Sequence, residues 1–226
     1  MLSIVIPCYN EEEIINQSLD KVVNFLDEES YIGEIIVVNN ASTDNTLEKL
    51  NEFKNNQNIF IFNETKKGKG NAIKKGLQET KYNKILILDA DLSTDITQFN
   101  KDWLNLEETV FIGSRYFGEE IKTPKIRKLS GNILNSLIRL IFKLEIRDTQ
   151  CGFKFISTRK KEELCKRLTT KGFLYDLDLI LTSMKLGMSI KEVPIKYIYD
   201  KNSSVSLLKD PFFMLLEIYK LAIKHK

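Results

Sequence analysis

The chain of 226 residues contains one histidine, His225, and that scarcity removes several chemistries. A Ser-His-Asp or Cys-His relay has no imidazole to act as its base, and a histidine-built zinc site is excluded as well. Any metal chemistry must use oxygen ligands. Cys8, Cys151 and Cys165 are odd in number and lack Cys-x-x-Cys spacing, so they read as reduced thiols in a cytosolic setting and not as a disulfide framework. No run approaches the roughly 18–20 apolar residues that span a bilayer, so no membrane crossing is expected. Met1-Leu2-Ser3 leads directly into Ile4-Val5-Ile6 without a basic lead-in, so no signal peptide is expected. A formal net charge of +3 is too weak to call for nucleic acid as a partner. Repeats, low-complexity tracts and linker-like stretches are also missing. With 42% hydrophobic residues to bury, residues 1–226 are expected to form one domain around one core.

What is present is organised around Lys84-Ile85-Leu86-Ile87-Leu88-Asp89-Ala90-Asp91. The apolar run reads as a strand buried on both faces, inside a parallel sheet. Its C-terminal end is where open α/β sheets bind ligands. In extended geometry Asp89 and Asp91 would point the same way, roughly 6–7 Å apart. Two carboxylates aimed into one crevice call for a cation or donors between them, and Mg²⁺ uses one or two carboxylates plus phosphate oxygens and water. The competing reading of Asp-x-Asp by itself is a surface turn with two solvated acids.

The remainder repeats strand, polar loop and helix. Ser3–Pro7 is a strand that Pro7 stops, with Asn10 as cap of the following helix and Glu11, Glu12 and Glu13 in its first turn. Strand 34–38 ends at Asn39-Asn40-Ala41-Ser42-Thr43-Asp44, ahead of a helix over 46–54. Strand 59–62 leads to Lys67-Gly68-Lys69-Gly70, where glycine permits close backbone approach and lysine supplies charge, and then to helix 71–80. This alternation predicts a doubly wound α/β fold with every polar loop on one sheet edge. Further on come a helix over 96–107 with Trp103 as a packing residue, strand 110–112, a basic loop over 122–128 and an apolar helix over 129–144. A charged helix over 159–168 follows, then an edge strand, 192–195, containing Pro194. The final helix, 207–226, has a broad apolar face and a narrow charged stripe, and suits either packing on the domain or the membrane interface.

Five motifs in order, Pro7-Cys8-Tyr9-Asn10-Glu11, Asn39–Asp44, Lys67-Gly68-Lys69-Gly70, Asp89-Ala90-Asp91 and Asp148-Thr149-Gln150-Cys151-Gly152-Phe153-Lys154, carry a resemblance. The chain resembles family 2 glycosyltransferases of GT-A fold, and within them the polyprenyl-phosphate sugar synthases such as the dolichyl-phosphate β-glucosyltransferases. The resemblance implies a mostly parallel sheet flanked by helices, with amphipathic membrane-facing helices in the C-terminal half. It divides the chain into a nucleotide-sugar half (1–112), an acceptor half (113–200) and a C-terminal amphipathic helix (207–226).

It further implies inverting transfer from a UDP- or GDP-linked sugar to a polyprenyl phosphate, with Mg²⁺ or Mn²⁺ on the diphosphate. The enzyme would sit peripherally on the cytoplasmic face of a membrane. Pro7, Tyr9 and Glu11 would line the nucleoside pocket and Asn39 would meet the base. Lys69 and Gly70 would lie near the nucleotide. Asp89, approaching the ribose, and Ala90 would complete that site, and Asp91, with Asp89, would hold the metal. Arg115, Arg127 and Ser130 would receive the lipid phosphate, and Asp176 and Asp178 would stand near the acceptor. Many relatives have Asp-Asp-Gly-Ser where this chain has Asn39-Asn40-Ala41-Ser42, which bears on nucleobase choice, because an amide can donate where a carboxylate only accepts. A phosphate acceptor is already an anion and needs no strong base. A soluble or cell-wall glycan hydroxyl would need one, and Asp178 or Asp176 is then the candidate, unless the pair merely caps a helix. A non-catalytic nucleotide-binding module is the third possibility.

Overall fold

The structure, a computed structural model, describes residues 1–117, 120–121, 125–172, 174–198 and 210–225, with the backbone alone for 120–121, 125–131 and 210–214. Strands β1 (Leu2–Cys8), β2 (Ile32–Asn39), β3 (Ile59–Asn63) and β4 (Lys84–Ile87) alternate with helices α1 (Ile15–Glu28), α2 (Thr46–Asn51) and α3 (Lys69–Glu79). Then follow β5 (Thr109–Ser114), β6 (Glu120–Ile121), α4 (Lys125–Phe142), β7 (Lys154–Ser157), α5 (Lys161–Arg167) and α6 (Tyr175–Lys185). The chain ends with β8 (Ser189–Pro194), β9 (Tyr197–Ile198) and α7 (Asp210–His225).

The main sheet runs β3-β2-β1-β4-β7-β5-β8, and β6 pairs with β9 apart from it. Its first four strands are parallel, whereas β7 is antiparallel to both β4 and β5, so the sheet is mostly and not wholly parallel. The sheet passes unbroken across the 112/113 division, which falls inside β5. β1 and β2 are buried almost throughout, as strands covered on both faces require. Gly76 of α3 rests directly on Val5: a Cβ there would come within 2.4 Å of the Val5 side chain.

Several local expectations are corrected. Pro7 does not stop β1, which runs one residue past it to Cys8. Asn10 does not cap α1, which begins five residues later. Its φ is 55°, a left-handed conformation that asparagine tolerates, and its carboxamide oxygen accepts from Thr43 N (2.8 Å). The helix expected over 96–107 is two 3₁₀ turns, Ile96–Gln98 and Lys101–Asn105. Asp95 and Asn100 each accept a backbone N–H two residues on (2.9 Å each), and the second of these bonds starts a new turn where a helix would continue. Trp103 is a packing residue, stacked on Phe111 with ring centroids 4.6 Å apart. α4 begins at Lys125, so the basic loop expected over 122–128 is helical in its second half, while 122–124 lie outside the described residues.

Candidate active site

With β3, β2, β1 and β4 parallel, their C-terminal ends gather the polar loops on one edge, and β1 and β4 flank the point where strand order reverses. Asp89 and Asp91 emerge there. They do not continue the strand. β4 stops at Ile87, and Asp89 to Leu92 make a turn closed by Leu92 N donating to Asp89 O (3.0 Å), with Leu92 at φ 47°. Leu88 still reaches the sheet through a bond to Val5 O (3.0 Å), but the extended geometry expected for the two carboxylates is replaced by a turn. Ser93 N donates to Asp91 Oδ1 (2.9 Å), so the turn is set by the aspartate itself.

Around this turn three cations meet four carboxylates. Lys69 Nζ lies 2.5 Å from Asp89 Oδ1. Arg115 grips Asp148 bidentately, Nε to Oδ2 at 2.8 Å and Nη2 to Oδ1 at 2.9 Å. Lys154, wholly buried, pairs with Asp176 and also donates to Cys151 O. Asp91 is the remaining carboxylate, with no ion-pair partner among the described residues. The electrostatics follow. Burial raises the Asp89 carboxyl, but Lys69, with Lys154 and Arg115 behind it, outweighs that and holds it below the usual range. Burial and the Asp89 charge together push Asp91 above it. Asp91 is thus the position where an added cation relieves an unfavourable field. A hard divalent ion that takes its other ligands from diphosphate and water fits this oxygen donor set.

Gly152 explains part of the Asp148–Lys154 motif: a Cβ there would sit 1.9 Å from Asp89 Oδ2, so only glycine lets this loop close over the carboxylate. The Gly68–Gly70 turn is gripped from the other side. Gly70 N donates to Lys171 O (2.9 Å), Gly68 has φ 133°, and a Cβ on Gly68 or Gly70 would meet the carbonyl oxygen of Lys171 or Thr170 at 2.3 or 2.2 Å. That docking aims Lys69 at Asp89.

Of the residues assigned to the nucleoside pocket, Tyr9 holds Lys67 through its hydroxyl (2.5 Å) and ring face (4.2 Å to the centroid). Glu11 N donates to Thr46 Oγ1 (2.7 Å), joining the first and second loops. Pro7 pairs in register with Val38, and Asn39 ends β2, its amide donating to Asn63 Oδ1 (2.9 Å). Ala90 is buried in the turn. Asn40 matters more than the sequence reading allowed. It accepts from Gly68 N (2.7 Å) and donates to Lys66 O (2.9 Å), and so holds the lysine-glycine turn with both ends of one amide.

The acceptor-side residues divide. Arg115 is joined to Asp148 and passes over the Tyr197 ring (5.3 Å to the centroid). Arg127 and Ser130 lie on the first turns of α4, and their side chains are outside those described. Asp176 faces Lys154. Asp178 faces the other way and accepts from Thr169 N (2.7 Å), Thr170 N (2.9 Å), Lys224 Nζ (2.6 Å) and His225 Nε2 (3.3 Å). The two acids are not a pair sharing one site. Asp148, Lys154 and Asn40 had a signal, since each falls in a motif quoted for the resemblance. The Thr169–Thr170 contacts had none, because the order of elements does not say that this segment touches Gly70.

The profile of the family described as "Glycosyl transferase family 2" matches residues 3–164. The chain belongs to glycosyl transferase family 2. This glycosyltransferase is 33% identical over its whole length to dolichyl-phosphate beta-glucosyltransferase ALG5A of Trichomonas vaginalis, of which it covers 74%. It is 27% identical over 96% of its length to the dolichyl-phosphate beta-glucosyltransferase of Saccharomyces cerevisiae, covering 72% of that protein. In fold it is similar to glucosyl-3-phosphoglycerate synthase from Mycobacterium tuberculosis, crystallised with UDP (TM-score 0.70, 18% identity, all of this chain and 79% of the other). The same synthase has been crystallised with Mn²⁺, UDP and its product (TM-score 0.68, 19% identity, 99% and 77% covered). The mostly parallel sheet flanked by helices is therefore the GT-A arrangement, and the chain is a hexosyltransferase.

Proposed function

We propose that this enzyme transfers a hexose, with inversion, from a nucleotide-diphosphate sugar to a polyprenyl phosphate at the cytoplasmic face of a membrane, using Mg²⁺ or Mn²⁺. The observation that carries the acceptor class is the state of the two acids. Asp176 is committed to buried Lys154, and Asp178 to backbone amides and Lys224. Neither stands free as a base for a sugar hydroxyl, whereas a phosphate monoester is anionic at neutral pH and attacks without one. The relatives named dolichyl-phosphate beta-glucosyltransferase support the same acceptor.

In this reading Asp91, with Asp89, would hold the divalent ion. When bound, that ion supplies charge neutralisation to the departing diphosphate. Lys69 faces the same region and adds positive charge, and Asn40 keeps its loop in place. Arg115, oriented by Asp148, and Arg127 with Ser130 at the start of α4 would receive the acceptor phosphate, for which a guanidinium offers a bidentate fit. A phosphate oxygen attacks C1 opposite the leaving group. The C1–O bond to the acceptor forms as the C1–O bond to the nucleoside diphosphate breaks, and the diphosphate leaves with the electron pair. Pro7, Tyr9, Glu11, Asn39, Gly70 and Ala90 would frame the nucleoside and its phosphates.

Membrane contact is supported by exposed apolar side chains on neighbouring helices: Ile133, Leu140 and Ile141 of α4 with Leu215, Leu216, Tyr219 and Ile223 of α7. The test is transfer from UDP- and GDP-sugars to a short polyprenyl phosphate, with Mn²⁺ and with chelator. Metal-dependent product from one donor series is expected. Nucleotide binding without product on the lipid but with product on a soluble glycan would move the assignment to a hydroxyl acceptor. Binding without any transfer would make the chain a nucleotide-binding module.

A further inference from the structure

The C-terminal helix α7 packs against α4 and α6, and it is also bonded to the segment that holds the donor loop. Lys224 Nζ donates to Arg167 O (2.5 Å), Thr169 Oγ1 (3.1 Å) and Asp178 Oδ1 (2.6 Å). Asp178 in turn accepts from Thr169 N and Thr170 N. Two turns earlier on the same helix, the Glu217 carboxylate lies against the backbone of Gly172 and Leu174, with its oxygens 3.2 Å from where a Gly172 Cβ would stand. Two contacts on α7 thus flank Thr170 and Lys171, whose carbonyl oxygens are the surface against which Gly68 and Gly70 pack. The path from Lys224 to Asp89 is continuous: Lys224, Asp178, Thr170, Lys171, Gly70, Lys69, Asp89. Each step is a hydrogen bond, an ion pair or adjacency in the chain.

We propose that α7 is a positioning element for the donor site, with Lys224 and Glu217 fixing the segment at 169–172 and through it the Gly68–Gly70 turn that aims Lys69 at Asp89. This rests on the reading of that site as the place where the nucleotide diphosphate binds. It goes beyond that reading in assigning two residues, neither of which touches substrate, to donor affinity. It also gives Asp178 a role: it is the junction through which a charge on α7 orders two backbone amides, and a carboxylate accepting such bonds is held strongly in place.

The test is steady-state kinetics of Lys224→Gln, Lys224→Arg and Glu217→Gln, together with calorimetric binding of UDP and of GDP in Mn²⁺. Loss of one charge-assisted bond in the path is expected to raise the donor KM and the nucleotide Kd about tenfold in Lys224→Gln, with acceptor KM unchanged. Lys224→Arg, which keeps the charge, is expected to recover most of that loss, and Glu217→Gln to show a smaller rise of the same kind. A packing role alone would lower Tm and active fraction in these variants while leaving both constants alone, and donor KM within twofold of the parent in Lys224→Gln and Glu217→Gln would overturn the proposal. Should Lys224→Gln fail to fold, Glu217→Gln decides it by the same criterion. If the parent enzyme binds neither nucleotide, the donor-site reading itself fails and this inference falls with it, an outcome distinct from normal parent binding with unaltered variants.

Discussion

Gly152 shows how a single missing side chain can be part of a charge site. An added methyl would overlap Asp89 Oδ2 at 1.9 Å, and the carboxylate, half tied to Lys69, is the part able to yield. Gly152→Ala is therefore expected to keep its fold, with Tm within a few degrees, but to lose about a hundredfold in kcat/KM, the scale on which ångström misplacements cost rate. An unaltered kcat/KM would remove Asp89 from the reacting site. Asp178 carries a different signature, in the pH dependence of stability. Burial raises its carboxyl, but Lys224 and the Thr169 and Thr170 amides override that and bring it from 3.8 to about 2. A lowered carboxylate pKa adds stability above the unfolded value and loses it as pH falls through the folded one, so this contribution is complete above about pH 4 and gone below about pH 2. It amounts to about 2 kcal/mol. Unfolding curves of the parent and Asp178→Asn should differ by that much at pH 7 and draw together as the pH is lowered towards 2.

Among the elements, the first four strands and their loops were legible because each announces itself twice, by an apolar run and by the turn residues after it. That is why the sequence alone places Asn39, Lys69 and Asp89 on one edge. Legibility stopped where side chains compete with the backbone. Asn10 gives its carboxamide to Thr43 of the next loop and not to a helix start, Asn100 opens a second turn inside the expected helix, and Asp89–Leu92 fold back where a strand pattern would run on. It also stopped at β7, since nothing in Lys154–Ser157 states that it runs antiparallel between β4 and β5, and so delivers Gly152 and Lys154 to the same crevice. The loop between β2 and α2 supplies a test at this scale. Asn40 uses an acceptor towards Gly68 N and a donor towards Lys66 O, so Asn40→Asp keeps the first bond and sets a carboxylate oxygen against a carbonyl. The expected cost is about 1–3 kcal/mol in urea unfolding, with a raised donor KM as the Gly68–Gly70 turn loosens. An aspartate tolerated in both assays would mean that the amide at position 40 is incidental to this chain.

For the whole molecule, the decisive feature is that the described residues form two apolar assemblies of different kinds. The sheet core is closed, whereas the smaller cluster of Ile138, Leu144, Leu174, Leu177, Leu181, Ile218 and Leu221 joins α4, α6 and α7 on one side of the domain. The outer surface of that assembly stays apolar, with Leu140 79% and Tyr219 65% exposed. No helix among the described residues is long and apolar enough to cross a membrane. On the proposed membrane contact, partial burial of each in the acyl boundary would contribute roughly 1 kcal/mol, below the value for complete burial. Replacing Leu140, Tyr219 and Ile223 together by serine should then lower partitioning onto vesicles by about a hundredfold. Cosedimentation measures that, and nucleotide binding in the same variant should be unchanged, because none of the three side chains belongs to the donor site. If vesicle binding survives the triple substitution but disappears at high salt, attachment is electrostatic, through basic side chains facing anionic lipid, and the exposed apolar face has some other occupant.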